Sequence, residues 1–361
     1  MTPPSTHERP PLAPLILGAA DFLQAGYVGA GWGEHHHLMA RGESPLCAHR
    51  VRTNTLPLRR KNADRVLVDL DDTTALARAM EGRVVYHLAG HYPRDARTPH
   101  HTMSRAMREL ELVLDAAALA RVPRLVYVSS TATVRSHPDR ASDESDVFTE
   151  RPDLGVYHDT KWLMEDRALR EDRLDVRVVC PGACLGPWDL RVGTSGLIIA
   201  LANGFDPPHP DGVVNLVDVR DVARALAIVG THKSPPRRLL VAGHDVCLHD
   251  FLEDLAVRFH VKRPSPPLSA EAAIAFADTE EQRVAGTPER ARLPREIVDL
   301  ILHGTPLDTS LSRSLLGPSP WASSASSASG YTPLSDTLTA VETFARKLNL
   351  IPTLSHFAGL R

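Results

Sequence analysis

At 361 residues, 43% of them apolar and 24% charged, the chain can bury a core for one domain with a smaller lobe, which excludes a disordered protein. A net charge of -3 at pH 7 supplies no broad basic field, so nucleic acid and anionic membrane surfaces are poor partners and a small molecule is the expected one. Four scattered cysteines, Cys47, Cys180, Cys184 and Cys247, form neither a CxxC pair nor a zinc-ligand spacing. The expectation is a reducing cytoplasm, no disulfide framework and no metal site.

Residues 1–13, rich in proline, read as an N-terminal arm. The apolar stretch 12–20 is too short and too mixed with proline for a signal peptide and reads as a first buried strand at Leu15-Ile16-Leu17. Further β-rich runs follow at 66–68, 84–88, 125–128 and 176–179, with a second strand placed at 46–51. Between them lie helical stretches. In 103–119, Met103, Met107, Leu110 and Leu114 recur at 3.6-residue spacing. No window reaches the ~18 apolar residues of a membrane span.

Strand and helix in alternation predict an α/β fold, a doubly wound parallel sheet of the Rossmann type, over 14–184. Ligands in such folds sit at the carboxyl ends of the strands. Beyond Pro181 the pattern turns to proline-rich connections and helical pieces at 195–203, 221–229, 249–260 and 334–348. This predicts a smaller C-terminal substrate lobe over 185–361, interleaved with late strands at 213–217 and 238–241. The run PSPWASSASSASG, residues 318–330, reads as a flexible connection.

The sharpest local feature is Tyr157-His-Asp-Thr-Lys161. On a helix, positions i and i+4 put the phenol and the ammonium on one face. A neighbouring cation favours phenolate, which suits a tyrosine to general acid/base chemistry. The bland alternative is a surface helix pair. Upstream, the run 125–128 ends in Ser129-Ser130-Thr131, placing hydroxyls at a strand's carboxyl end; downstream, the run 176–179 leads into Cys180-Pro181-Gly182.

With these segments the chain resembles the extended short-chain dehydrogenase/reductase family, which includes nucleotide-sugar epimerases, dihydroflavonol reductases and 3β-hydroxysteroid dehydrogenases. The matching stretches are Val68-Asp-Leu-Asp-Asp72, Val85-Tyr-His-Leu-Ala-Gly90, Tyr127-Val-Ser-Ser-Thr131, Tyr157-xxx-Lys161, Pro181-Gly-Ala-Cys-Leu-Gly-Pro-Trp-Asp189 and Val217-Asp-Val-Arg-Asp-Val-Ala223. The resemblance implies an NAD(P)-dependent oxidoreductase. Tyr157 would be the acid/base, Lys161 would hold the nicotinamide ribose, and Thr131 would bind the substrate oxygen. Asp69 and Leu70 would approach the adenine. Gly18, Leu88, Ala89, Gly90 and Pro181 would complete the cofactor site, and a homodimer through residues 103–119 and 161–169 is implied as well. Residues 186–221 are most like the dihydroflavonol reductase and hydroxysteroid dehydrogenase branch.

The chain departs from the family at the phosphate turn, where Gly-xx-Gly-xx-Gly is replaced by Gly18-Ala-Ala-Asp21-Phe-Leu-Gln24. An aspartate there repels a pyrophosphate. Three explanations stand. An insertion has passed the turn to Gly29 and Gly31, or the dinucleotide site has decayed, or part of 24–60 is a frame-shifted reading. Arg50, Arg52, Arg59 and Arg60 follow the second strand with no carboxylate among them, which favours NADP over NAD. Two other functions stay open: an epimerase or dehydratase that retains its NAD, and a non-catalytic sensor on the same fold. Glu34-His35-His36-His37 lacks a ligand spacing for metal, because adjacent histidines point different ways.

Overall fold

The computed structural model describes residues 12–17, 45–49, 64–88, 99–187, 189, 194–287, 289, 291–323 and 330–352. Among these residues seven strands make one sheet: β1 (Leu15–Leu17), β2 (Leu46–His49), β3 (Arg65–Leu67), β4 (Val85–His87), β5 (Leu125–Val128), β6 (Val176–Pro181) and β9 (Arg238–Val241). Their order is β3-β2-β1-β4-β5-β6-β9, every pairing parallel. The chain builds outward from β1 to one edge and from β4 to the other. The reversal between β1 and β4 opens a crevice at the carboxyl ends of the strands, where such sheets bind ligands.

Side chains alternate along a strand, so each strand feeds two cores. Leu15, Leu17, Val85, Leu125 and Tyr127 bury on one face, under helices α1 (Thr73–Met80), α2 (Pro99–Leu119) and α3 (Val156–Leu169). Ile16, Tyr86, Val126 and Val179 bury on the other, under α5 (Val219–Thr231) and α9 (Ser310–Leu316). Helix α5 presents Val222, Leu226 and Val229 at helical spacing, and Gly230 lets the Tyr86 ring approach where any Cβ would overlap its hydroxyl. This is the doubly wound sheet expected from the sequence.

A second, three-stranded sheet has the order β10-β8-β7, with β7 at Ala183–Leu185, β8 at Val213–Asp218 and β10 at His244–Cys247. The late strands therefore divide: Arg238–Val241 extends the main sheet, whereas 213–217 belongs to the second one. Helices α4 (Ser195–Ala202), α6 (Leu248–Phe259) and α10 (Leu334–Lys347) cover this sheet, Leu201, Leu252, Leu255 and Val341 sharing a core with Leu216 of β8. Gly182 joins the two sheets; its backbone runs so close to Asn215 that a Cβ would collide with the Asn215 carbonyl. Helices α7 (Ala270–Arg283) and α8 (Arg295–Leu302) form a further packed pair, and α8 reaches the start of α3.

Candidate active site

The site grows from the carboxyl end of β5. All four residues of that strand are buried, and the amide of Ser129 still donates to the Val179 carbonyl at 2.8 Å. Pairing then ends. Ser130 is extended, and its Oγ accepts from the Ala132 amide at 3.2 Å, capping a single 3-10 turn over Thr131–Thr133. Strand pairing on one side and a side-chain cap on the other thus fix where Ser130 and Thr131 lie.

Across from this turn, α3 begins at Gly155, whose φ of 111° suits glycine. The Asp299 carboxylate of α8 occupies the place where a Cβ would project, setting a negative group at the helix N-terminus. Tyr157 and Lys161 follow one turn apart, each 9% exposed. Their neighbours His158, Asp159 and Thr160 are buried too, because the helix is packed by α2, β6, the 3-10 turn and α8. The bland surface-pair reading of Tyr157 and Lys161 is thereby excluded.

Burial dominates the electrostatics. It pushes the Tyr157 phenol up to about 12; a hydrogen bond with Ser130 opposes the shift, while Glu296 and Cys184 add to it. The cation expected to lower the phenol does not outweigh desolvation here. His87, at the end of β4, is held neutral down to about pH 3, first by burial and then by the Lys161 charge. Its ring lies 5.7 Å from that of Tyr127, and both its nitrogens are buried without a hydrogen-bond partner among the described residues.

A second carboxylate secures the arrangement from beneath. Glu165 stands one turn beyond Lys161 on the same face of α3. Its Oε2 accepts from Ser129 Oγ, from Thr133 Oγ1 at 2.7 Å and from Cys180 Sγ at 3.4 Å. Its Oε1 accepts from Arg238 Nε at 2.6 Å, and Arg238 also donates to Thr133 Oγ1 at 3.0 Å. Glu165 therefore ties both ends of the Ser130-Thr131 segment to the helix that carries Tyr157 and Lys161. Sequence reasoning missed it, although Tyr-xxx-Lys-xxx-Glu repeats the same helical spacing.

The remaining expected positions gather along the same edge of the sheet. Asp69 and Leu70 follow β3, where Asp69 accepts from the Asp71 amide at 3.1 Å and Asp72 caps α1. Leu88 follows β4, its amide donating to Leu17 at 3.0 Å, and Pro181 closes β6. Gly18, Ala89 and Gly90 lie outside the described residues, as do the alternative turn glycines, the Glu34–His37 run and the arginines at 50, 52, 59 and 60. Thr131 was expected to hold the substrate oxygen, but the hydroxyl that meets the phenol is Ser130, its neighbour.

Thr131 instead borders a cavity of about 340 Å³. Its walls come from the segment after β5, from Phe148, Leu154 and His158, from Asn215, and from Leu300 and Leu302 of α8 with the His303–Thr305 segment that follows it. His158 is buried edge-on against His303, ring centroids 5.7 Å apart. Burial, with His303 second, holds His158 neutral down to about pH 4.

This geometry has counterparts. The model of the NAD-dependent epimerase/dehydratase family matches residues 24–243. The chain belongs to that family. A putative dihydroflavonol 4-reductase of Synechocystis sp. is 25% identical over 79% of this chain and 84% of its own length. Sterol demethylase protein B of Methylococcus capsulatus is 27% identical over 84% of this chain and 92% of its own. Among solved structures, a nucleoside-diphosphate-sugar epimerase from Pseudomonas aeruginosa superposes with a TM-score of 0.73 at 22% identity, covering 94% of this chain and 99% of that one. Family membership makes this an NAD(P)-dependent enzyme of the oxidoreductase or epimerase kind. Among the described residues no helix is long and apolar enough to cross a membrane.

Proposed function

We propose that the chain interconverts a carbonyl and an alcohol on a medium-sized small molecule, as a reductase or dehydrogenase with NADP favoured over NAD. The observation that carries this reading is the hydrogen bond between Ser130 and the Tyr157 phenol at a strand's carboxyl end, with Lys161 one turn along the same helix. The residues present fit a dinucleotide. The crevice at the strand-order reversal lies beside them, and a phenol, an ammonium and two hydroxyls converge there with His87, whose imidazole has no hydrogen-bond partner among the described residues. Asp69, Leu70, Leu88 and Pro181, with Gly18, Ala89 and Gly90, would hold the nucleotide, and Lys161 its ribose. Bound NAD(P) supplies or accepts the hydride at the substrate carbon.

The chain's own part is position and proton. In reduction, Tyr157 gives its phenolic proton to the substrate oxygen as the carbon receives the hydride, so that C=O becomes CH–OH. Ser130 and Thr131 donate hydrogen bonds to that oxygen as it gains charge. A phenol near 12 releases a proton reluctantly at neutral pH, and the Lys161 ammonium favours the phenolate left behind. The NADP preference rests on the arginines that follow β2.

A second reading, an epimerase or dehydratase that keeps its nucleotide bound, is favoured by one observation. Glu296 of α8 acts on the Tyr157 phenol and could serve as a further acid/base group.

Titration of the purified protein with NADPH and NADH, followed by nucleotide fluorescence, tests the redox reading. Micromolar binding is expected, tighter for NADPH and retained in Tyr157→Phe, which should lose about 10²–10⁴ in turnover of any ketone accepted. Failure of a folded protein to bind oxidised or reduced nucleotide would sink the proposal and leave the sensor reading. Nucleotide that copurifies and stays bound through a reaction cycle would favour the epimerase.

A further inference from the structure

The cavity beside Thr131 has a polar lining that the proton chemistry does not use: Arg135, Ser136, His158, Asn215, His303 and Thr305. None of the described lining residues is acidic. The existing hydrogen bonds decide which groups are available to a ligand. Both donors of the Asn215 amide are spent, one on Asp245 at 2.6 Å and one on the Thr305 carbonyl at 2.9 Å. His303 Nδ1 faces the Asp299 carbonyl at 2.8 Å and is the protonated nitrogen. Ser136 and Thr305 share a hydroxyl contact of 3.2 Å.

Arg135 is different. Among the described residues its nearest carboxylate, Asp146, is 3.9 Å away and is held more closely by Arg140 at 2.7 Å and by the Asp143 amide at 2.9 Å. Among the described residues the Arg135 fork meets no closer acceptor than this, which leaves most of it for a ligand. Thr131, which follows the Ser130 that meets the phenol, and Arg135, four residues on, thus line one wall of the cavity, and the Arg135 side chain is half exposed there. A planar guanidinium matches a carboxylate through two parallel hydrogen bonds. The volume falls at the small end of ligand pockets, which run from ~300 to 1,000 Å³, and suits a substrate of one or two rings.

We propose that this cavity selects substrates whose end remote from the reacting carbonyl carries one carboxylate, paired with Arg135. The assignment rests on the reductase reading for what happens at the carbonyl, though binding of the anion can be measured without turnover.

The test is calorimetric titration of the full chain, with and without NADPH, using 4-acetylbenzoate and its uncharged counterpart 4-acetylbenzamide. Net hydrogen bonds to charged groups are worth roughly 1.5–3 kcal/mol, so the benzoate should bind about 10-fold tighter or more. In Arg135→Gln that preference should fall below about 3-fold. Arg135 is half exposed, so the variant should fold, and a melting curve checks that it does. Equal binding of the two ketones, a preference that survives Arg135→Gln, or no binding of either to folded protein would each overturn the assignment. NADPH oxidation followed in parallel separates the two readings. A carboxylate preference that depends on Arg135 in a protein that neither binds nor oxidises NADPH supports the cavity assignment while the redox reading fails.

Discussion

Glu165 and Glu280 are both shielded carboxylates held by arginine, yet one sits behind the candidate active site and the other in the α7–α8 pair of the lobe. Around Glu165 the partner is as hidden as the acid: Arg238 is 6% exposed in its side chain, Glu165 5%. Around Glu280 the partners are Arg283 and Arg292, at 3.0 and 2.9 Å, with side chains 46% and 53% exposed. The buried bond is also the shorter, at 2.6 Å. The difference is what happens when an arginine is lost: Glu165 is left as a buried charge without its guanidinium, whereas Glu280, itself 3% exposed, keeps a second arginine, and its arginines are hydrated without it. The buried pair therefore governs geometry, since the Ser129–Thr133 segment and α3 are held in register through it.

The sharpest way to break this contrast is Glu165→Ala. Removal of one partner of a buried pair should cost about 3–5 kcal/mol in urea unfolding, and nucleotide binding should weaken in whatever fraction remains folded. Arg283→Ala should cost less than about 1 kcal/mol in the same experiment. Equal costs would mean that burial does not distinguish the two sites.

Acid should act on the active-site side as well. His158 is held neutral to about pH 4 by burial, whereas an unfolded histidine titrates near 6.5. The unfolded state therefore binds the extra proton first, and stability falls as pH drops from about 6.5 towards 4. That loss is on the order of 3 kcal/mol for this group. His158→Gln should flatten part of the slope between pH 7.5 and 4.5; an unchanged slope would count against a buried neutral imidazole. A smaller effect is expected at the seam of the two sheets, where Gly182→Ala forces a Cβ against the Asn215 carbonyl. It should cost about 1–3 kcal/mol by overpacking, visible as a lower urea midpoint.

Much of the molecule was legible because short-range rules governed it. Strands β1, β5 and β9 lie where their apolar runs predict, and α10 matches its periodic stretch to within a residue. Helices α7, α8 and α9 were not read from the sequence. Proline-rich connections surround them, and in α7 burial of Ala273, Ala277 and the paired Glu280 leaves no apolar stripe to recognise. The second sheet escaped notice for a related reason: β7 and β10 are three and four residues long, too short for alternation to show.

Sequence alone determined the α/β alternation, the family likeness and the Tyr157–Lys161 spacing, since each depends on residues close together in the chain and on the fixed periods of helix and strand. Tertiary structure decided the rest. It paired Tyr157 with Ser130 rather than Thr131, brought Arg238 73 residues along the chain to Glu165, and set Arg135, His158 and His303 around one cavity. Those contacts join elements far apart in sequence, where no local period constrains which side chains meet, and burial then held the Tyr157 phenol protonated and the His158 imidazole neutral.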